Sequence, residues 1–186
     1  METLKTNERY TYADYESWDE QIPRCELIDG LVYNMAGPSL AHQAIAGEIF
    51  FQLKNFLRGK TCCPIIAPFD VRLNHNTKDD TVVQPDVFVV CDRTKLENGK
   101  SCLGAPDFII EVTSPSNHRH DLIVKLTKYL HSGVREFWVV EPEEKIVIAH
   151  RLVDSHYMTT IYSADTEIPV SVLEGCKIRM SEVFSE

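Results

Sequence analysis

Pro-Asp-Phe-Ile-Ile-Glu-Val-Thr, residues 106–113, restricts the fold more than any other stretch of this chain. Phe108, Ile109, Ile110 and Val112 leave neither face of an extended segment polar, so the strand they predict is central and covered on both sides. Such a strand needs layers above and below it. The flanking sequence supplies them. Before it, Ser39 caps a helix running to about Arg58, with Ile45, Ile49, Leu53, Phe56 and Leu57 at helical spacing and Gly59 as its stop. After it, Ser114-Pro115-Ser116 opens a helix of about 15 residues that ends at Gly133.

Residues 61–73 read as a strand open to interruption at its prolines, and residues 82–90 as a strand with Pro85 near its start. Residues 74–80 and 92–102 are polar loops, and residues 135–142 form a further strand. The middle of the chain is therefore α-β-β-β-α-β. Ahead of it, Asp29-Gly30 between two apolar runs predicts an N-terminal β-hairpin, and one or two amphipathic turns precede that around Tyr12, Tyr15 and Trp18. Behind it, EKIVIAHRL and HYMTTIYS predict a C-terminal β-hairpin, followed by short extended pieces. This is a mixed α/β fold of the α+β kind with a mixed sheet, not a doubly wound βαβ alternation. At 186 residues, with no internal repeat or linker, the chain reads as a single domain, 1–186.

Glu111 is out of place in that central strand. An unpaired carboxylate in a dry interior costs several kcal/mol, so Glu111 requires a cation, a metal or water at a strand end. For an isolated acid the ordinary answer is a salt bridge or an exposed terminus. Asp86, in Gln-Pro-Asp-Val-Phe-Val-Val, heads another apolar run and changes the balance. Acids on adjacent strands lie about 5 Å apart, close enough to share one divalent ion, and hard oxygen ligands suit Mg²⁺ or Mn²⁺. Asp107 is the rival partner, but four residues along the same strand place it about 13 Å from Glu111. It serves the strand entrance instead.

Hydrolysis at such a site also needs a cation or base near the reacting phosphate. Strand alternation puts Thr113 on the face of Glu111, where a lysine would complete an acid-x-lysine pattern. The nearest replacement is Lys125, on the shoulder of the following helix and one step from Tyr129. Taken alone, Lys125 would ordinarily be a snorkelling surface lysine paired with Asp121 at i,i+4.

Composition sets the remaining bounds. Hydrophobic residues make up 44% and charged residues 25%, as in a soluble globular protein. No apolar run has the length of about 20 residues that crosses a bilayer, and the N-terminus lacks an apolar signal core. No membrane partner and a cytoplasmic location are therefore expected. The six cysteines have no metal-ligand spacing and are expected to be reduced, packed thiols. The net charge of −9 argues against strong non-specific DNA binding, though not against a local groove or a metal that offsets the acids.

The runs QPDVFVVCD and GAPDFIIEVTSPSNHRHDLIVKLTKYLHSGVREFWVVEPEEKIV resemble a large group of bacterial restriction-endonuclease-like proteins, mostly of unknown function, in the PD-(D/E)XK nuclease superfamily. CELIDGLVYNMAGPSLAHQAIAGEIFFQL fits the same group, and the resemblance covers about residues 10–160. It implies a restriction-endonuclease-like core with Asp86, Glu111 and the Val112 carbonyl as ligands of Mg²⁺ (or Mn²⁺). It also implies a catalytic lysine moved to the helix, here Lys125. Glu48 becomes a candidate to assist the metal. His42, on the same helix, is either a supporting residue or a hydrogen-bonded core histidine. Asp121 and Tyr129 match an Asp-Leu-x-x-Lys-x-x-x-Tyr pattern, with the expected task of orienting Lys125 and packing the helix. His118-Arg119-His120 departs at one position from the basic pair usual there.

The function implied is a Mg-dependent endonuclease that hydrolyses DNA phosphodiester bonds. The rival is a catalytically inactive nuclease-fold module that binds or regulates, favoured by the −9 charge and the missing strand lysine. Cutting a duplex takes two sites, so a homodimer fits, although no residue shows it.

Overall fold

The computed structural model describes residues 8–18, 24–113 and 119–185, the stretch 119–122 by its backbone alone. A single capped turn, α1 (Tyr12–Glu16), leads to the hairpin of β1 (Cys25–Ile28) and β2 (Leu31–Asn34). Asp29 and Gly30 turn it with φ of 51° and 77°, the left-handed pair that a two-residue hairpin loop requires. The helix α2 (Leu40–Phe56) follows, with the Ser39 hydroxyl accepting from the His42 N–H at its N-terminus.

Four short strands come next: β3 (Cys63–Ile66), β4 (Asp70–Arg72), β5 (Val82–Val83) and β6 (Val87–Val90). A 3-10 turn at Arg93–Leu96 precedes β7 (Ser101–Leu103) and the central β8 (Phe108–Val112). The chain then forms α3 (Arg119–Ser132), β9 (Glu136–Glu141) and the hairpin of β10 (Ile146–Val153) and β11 (His156–Ser163). It finishes with the paired β12 (Glu167–Pro169) and β13 (Lys177–Arg179) and the turn α4 (Met180–Val183).

The main sheet has six strands in the order β11-β10-β9-β8-β6-β3, with β8 and β9 parallel and the other neighbours antiparallel. Helix α2, strands β3, β6 and β8, helix α3 and strand β9 are the expected α-β-β-β-α-β core. The C-terminal hairpin extends its sheet beyond β9.

One expectation is corrected. The segments 61–73 and 82–90 are not single strands. Each breaks at a proline, Pro68 or Pro85, and crosses into a second sheet of order β2-β1-β5-β4-β7. Proline donates no ladder hydrogen bond, so a strand that meets it inside a sheet must stop or change partners. The polar segment 92–102 likewise holds more than a loop, since β7 pairs in parallel with β4.

Side-chain alternation divides the core. Val87, Val89, Phe108, Ile110, Val112, Trp138 and Val140 face α2 and the C-terminal segment, where Ile45, Ile49 and Leu53 pack against them. Phe88, Val90, Ile109, Phe137 and Val139 face α3 and the second sheet, meeting Tyr129, Ile28 and Val71. Each fully buried Leu, Ile or Phe contributes about 1.5–3 kcal/mol at most. β8 therefore has apolar cover on both sides, as its sequence demanded.

The cysteines need a second correction. Cys62 and Cys91 form a disulfide, 29 residues apart in sequence. Antiparallel pairing of β3 with β6 sets Cys63 opposite Val90, so the next rung brings Cys62 to Cys91. Cys25, Cys63, Cys102 and Cys176 are free thiols.

Candidate active site

The β6–β8 ladder sets Val87 opposite Ile110. One step further along that register, Asp86 comes beside Glu111. Asp86 sits in the crossing between the two sheets, just after Pro85, so its side chain is not bound to the pleat. Its Oδ2 accepts the Val112 N–H at 2.7 Å and lies 3.1 Å from His42 Nε2 on α2. The other sheet face supplies the partners of Glu111. Its Oε1 accepts from the Tyr129 hydroxyl at 2.6 Å and from Lys125 Nζ at 3.1 Å, both on α3. The i,i+4 spacing of Lys125 and Tyr129 stacks them on one helix face, which directs both at the same carboxylate.

A third acid completes the cluster. Glu26, on β1, holds Lys125 Nζ at 2.8 Å through Oε1. The same oxygen accepts the Gln84 N–H at 2.8 Å, tying the N-terminal hairpin to the turn that carries Asp86. Glu26 and Glu111 are only 5% and 8% exposed. Burial pushes the Glu111 carboxyl up; Lys125 pulls it back, while the charges of Asp86 and Glu26 raise it further. For Lys125, burial opposes the charge, but Glu111 and Glu26 outweigh it and hold the amine above its ordinary value. The hydrogen bond to Asp86 raises the His42 imidazole against the effect of burial, helped by the charges of Asp86 and Glu111 and by the Val112 backbone. His42, Asp86 and Glu111 thus act on one another electrostatically, and the acids outnumber the committed cation, Lys125.

Comparison with known proteins identifies the family. The profile of the Uma2 family, described as "Putative restriction endonuclease", matches residues 12–181. The chain belongs to the Uma2 family. This Uma2 chain is also 27% identical to the Synechocystis sp. (strain ATCC 27184 / PCC 6803 / Kazusa) protein named "Uncharacterized protein slr1290", over 83% of this chain and 81% of that one. The crystal structure of "a putative nuclease belonging to DUF820" from Anabaena variabilis ATCC 29413 matches it with a TM-score of 0.77. That match covers 95% of this chain and 98% of the other at 21% identity, a likeness that shows the fold. Among the described residues, no helix of the Uma2 chain is long and apolar enough to cross a membrane.

Of the residues singled out from the sequence, the Uma2 fold brings Asp86, Glu111, Val112, Lys125, Tyr129 and His42 together. Tyr129 packs in the core and hydrogen-bonds the Glu111 oxygen that also binds Lys125, and Glu26 holds the lysine from its other side. Glu48 stays apart. Its carboxylate accepts from Gln52 Nε2 at 2.9 Å, and Gln52 also reaches the Arg179 carbonyl, beside α4. Six residues along a helix turn Glu48 well away from His42. The side chain of Asp121 lies outside the described residues, as do His118 and the side chains of Arg119 and His120. Asp107 does serve the strand entrance, accepting the Cys91 N–H at 2.8 Å and pairing with Arg135.

Glu26 was missed, yet it carried the signal that exposed Glu111. Cys-Glu-Leu-Ile is an acid inside an apolar strand, and all four residues are buried.

The donor set fits a hard divalent ion. Among the described residues, Asp86 Oδ1 and Glu111 Oε2 accept no hydrogen bond, so each acid keeps one oxygen to offer. No three His, Cys, Asp or Glu side chains there are gathered into a metal cage. Asp86 and Glu111 would be the side-chain ligands of such an ion, the sparse protein contribution usual for Mg²⁺.

Proposed function

We propose that this Uma2 protein is a metal-dependent endonuclease that hydrolyses DNA phosphodiester bonds, using Mg²⁺ or Mn²⁺ held by Asp86, Glu111 and the Val112 carbonyl. The observation that carries the reading is the convergence of Lys125, from the helix after β8, on Glu111 at 3.1 Å, beside Asp86. Two acids can hold the ion and an amine can stabilise charge on the phosphate, and here three separate elements deliver them.

When bound, the ion supplies Lewis-acid polarisation of the phosphate and acidifies a water. The protein's own groups do the rest. Lys125, held cationic, orients the attacking water or stabilises charge developing on the phosphate oxygens. Tyr129 and the Val112 N–H fix the rotamers of Glu111 and Asp86, so neither acid must reorganise during the reaction. His42 Nε2 meets the same oxygen of Asp86 as the Val112 N–H. Cleavage of both strands of a duplex takes two such sites, which a homodimer would provide.

The net charge of −9 and the threonine at position 113 favour a second reading, a nuclease fold that binds without turnover. One experiment separates the two: purified protein incubated with plasmid and single-stranded DNA, with Mg²⁺, with Mn²⁺ and with chelator. Metal-dependent cleavage that is lost in Asp86→Ala supports the nuclease. Cleavage by Asp86→Ala at the wild-type level refutes the assignment, and metal binding without any cleavage selects the second reading.

A further inference from the structure

Glu111 has cations or cation positions on two sides. Asp86 flanks it on one, and on the other the Lys125 ammonium sits between it and Glu26, at 3.1 Å and 2.8 Å. The side chains of Lys125, Glu26 and Glu111 are 12%, 6% and 10% exposed, so this is an interior arrangement rather than a surface ion pair. Nucleases that use two metal ions set them about 3.5–4 Å apart, bridged by carboxylates. In this protein the second carboxylate notch already contains a positive charge.

We infer that the Lys125 ammonium permanently fills the second cation position, so that the site admits a single divalent ion. The inference rests on the metal-dependent reading above and defines its stoichiometry. Charge supports it: three carboxylates against one ammonium, with His42 beside Asp86, leave a deficit of two at most, which one divalent ion cancels. A second ion would bring excess positive charge into a poorly solvated site. The engagement of each oxygen also supports it. Glu111 Oε1 is committed to Lys125 and Tyr129, and Glu26 Oε1 to Lys125 and the Gln84 N–H. The Gln84 bond ties Glu26 to the turn that carries Asp86 and fixes its Oε1 where it meets the amine. Glu26 is therefore a positioning residue, which acts on the reaction through the lysine it holds.

Titration calorimetry with MnCl₂, together with the Mn²⁺ electron paramagnetic resonance spectrum at excess metal, tests this without any turnover. Wild-type protein is expected to bind one ion per chain and to show no Mn–Mn coupling. Lys125→Met vacates the notch, and the folded variant is expected to bind two ions, falling back to one in Lys125→Met/Glu26→Gln. Should Lys125→Met not fold, the wild-type stoichiometry alone decides. Two coupled ions in wild type, or one in folded Lys125→Met, would overturn the inference and leave the nuclease reading intact. No binding at millimolar Mn²⁺ would remove the metal-dependent reading, and the inference with it.

Discussion

The Tyr129 hydroxyl lies 2.6 Å from Glu111 Oε1, and the tyrosine has no exposed surface. The bond links the third turn of α3 to the central strand and holds the one carboxylate that three other charged groups surround.

Tyr129→Phe removes that donor and keeps the ring, which packs on Phe137 at 5.0 Å. A hydrogen bond to a charged group contributes about 1.5–3 kcal/mol. The variant should lose about 2 kcal/mol in urea unfolding with an unchanged denaturant slope. A variant as stable as wild type would mean that the bond carries no net energy.

Lys125→Ala and Asp86→Ala test the proposed nuclease reaction. Losing one preorganised charge-stabilising group typically costs 10²–10³ in turnover. Each variant should cut DNA at least about 100-fold more slowly in Mg²⁺, with circular dichroism used to correct for folded fraction. Lys125→Ala should also be destabilised by about 3–5 kcal/mol, because Glu26 and Glu111 are left facing each other in the interior.

Glu136 gives a pH signature far from the site. It is 2% exposed, and its carboxylate accepts from Trp138 Nε1 at 2.8 Å and from the Val172 N–H at 3.0 Å. Burial raises its pKa above the ordinary 4.5 despite those bonds. The folded state then holds the proton more tightly than the unfolded state. Its contribution to stability is complete below the unfolded value and is lost as pH climbs through the raised folded value. Thermal midpoints measured from pH 4 upward should therefore show a decline through that window that is smaller in Glu136→Ala. A Glu136→Ala profile parallel to wild type would contradict this.

The Cys62–Cys91 bridge closes a loop of 29 residues. In the chain-entropy account, a loop of that size contributes about 3–4 kcal/mol. Unfolding midpoints in the presence and absence of reductant should differ accordingly for wild type, and should coincide for Cys62→Ser/Cys91→Ser.

Where local chemistry decided the structure, the sequence was legible. Asp29-Gly30 could hardly avoid a hairpin, Ser39 capped the helix it preceded, and Gly133 closed α3 with φ of 82°. The adjacency of Asp86 and Glu111 was also legible, since two apolar runs headed or interrupted by acids have few ways to pack. The second sheet was not. β5 has only two residues and β4 and β7 three each, too short to show a period, and their pairing is set by distant contacts. Pro68 and Pro85 marked the crossings but not the destination. Glu26 and the disulfide were hidden for the same reason: their partners lie 99 and 29 residues away, Lys125 for the one and Cys91 within the bridge for the other.

In a strand that carries both acid and lysine, two residues apart, backbone geometry fixes their span at about 7 Å. Here the amine rides on α3 while Asp86 and Glu111 ride on the sheet, so their separation depends on how two layers dock. A shift of α3 would move the amine relative to Asp86 and carry with it the Tyr129 hydroxyl that holds Glu111. The distance from amine to acids is thus a property of layer packing rather than of one strand's backbone.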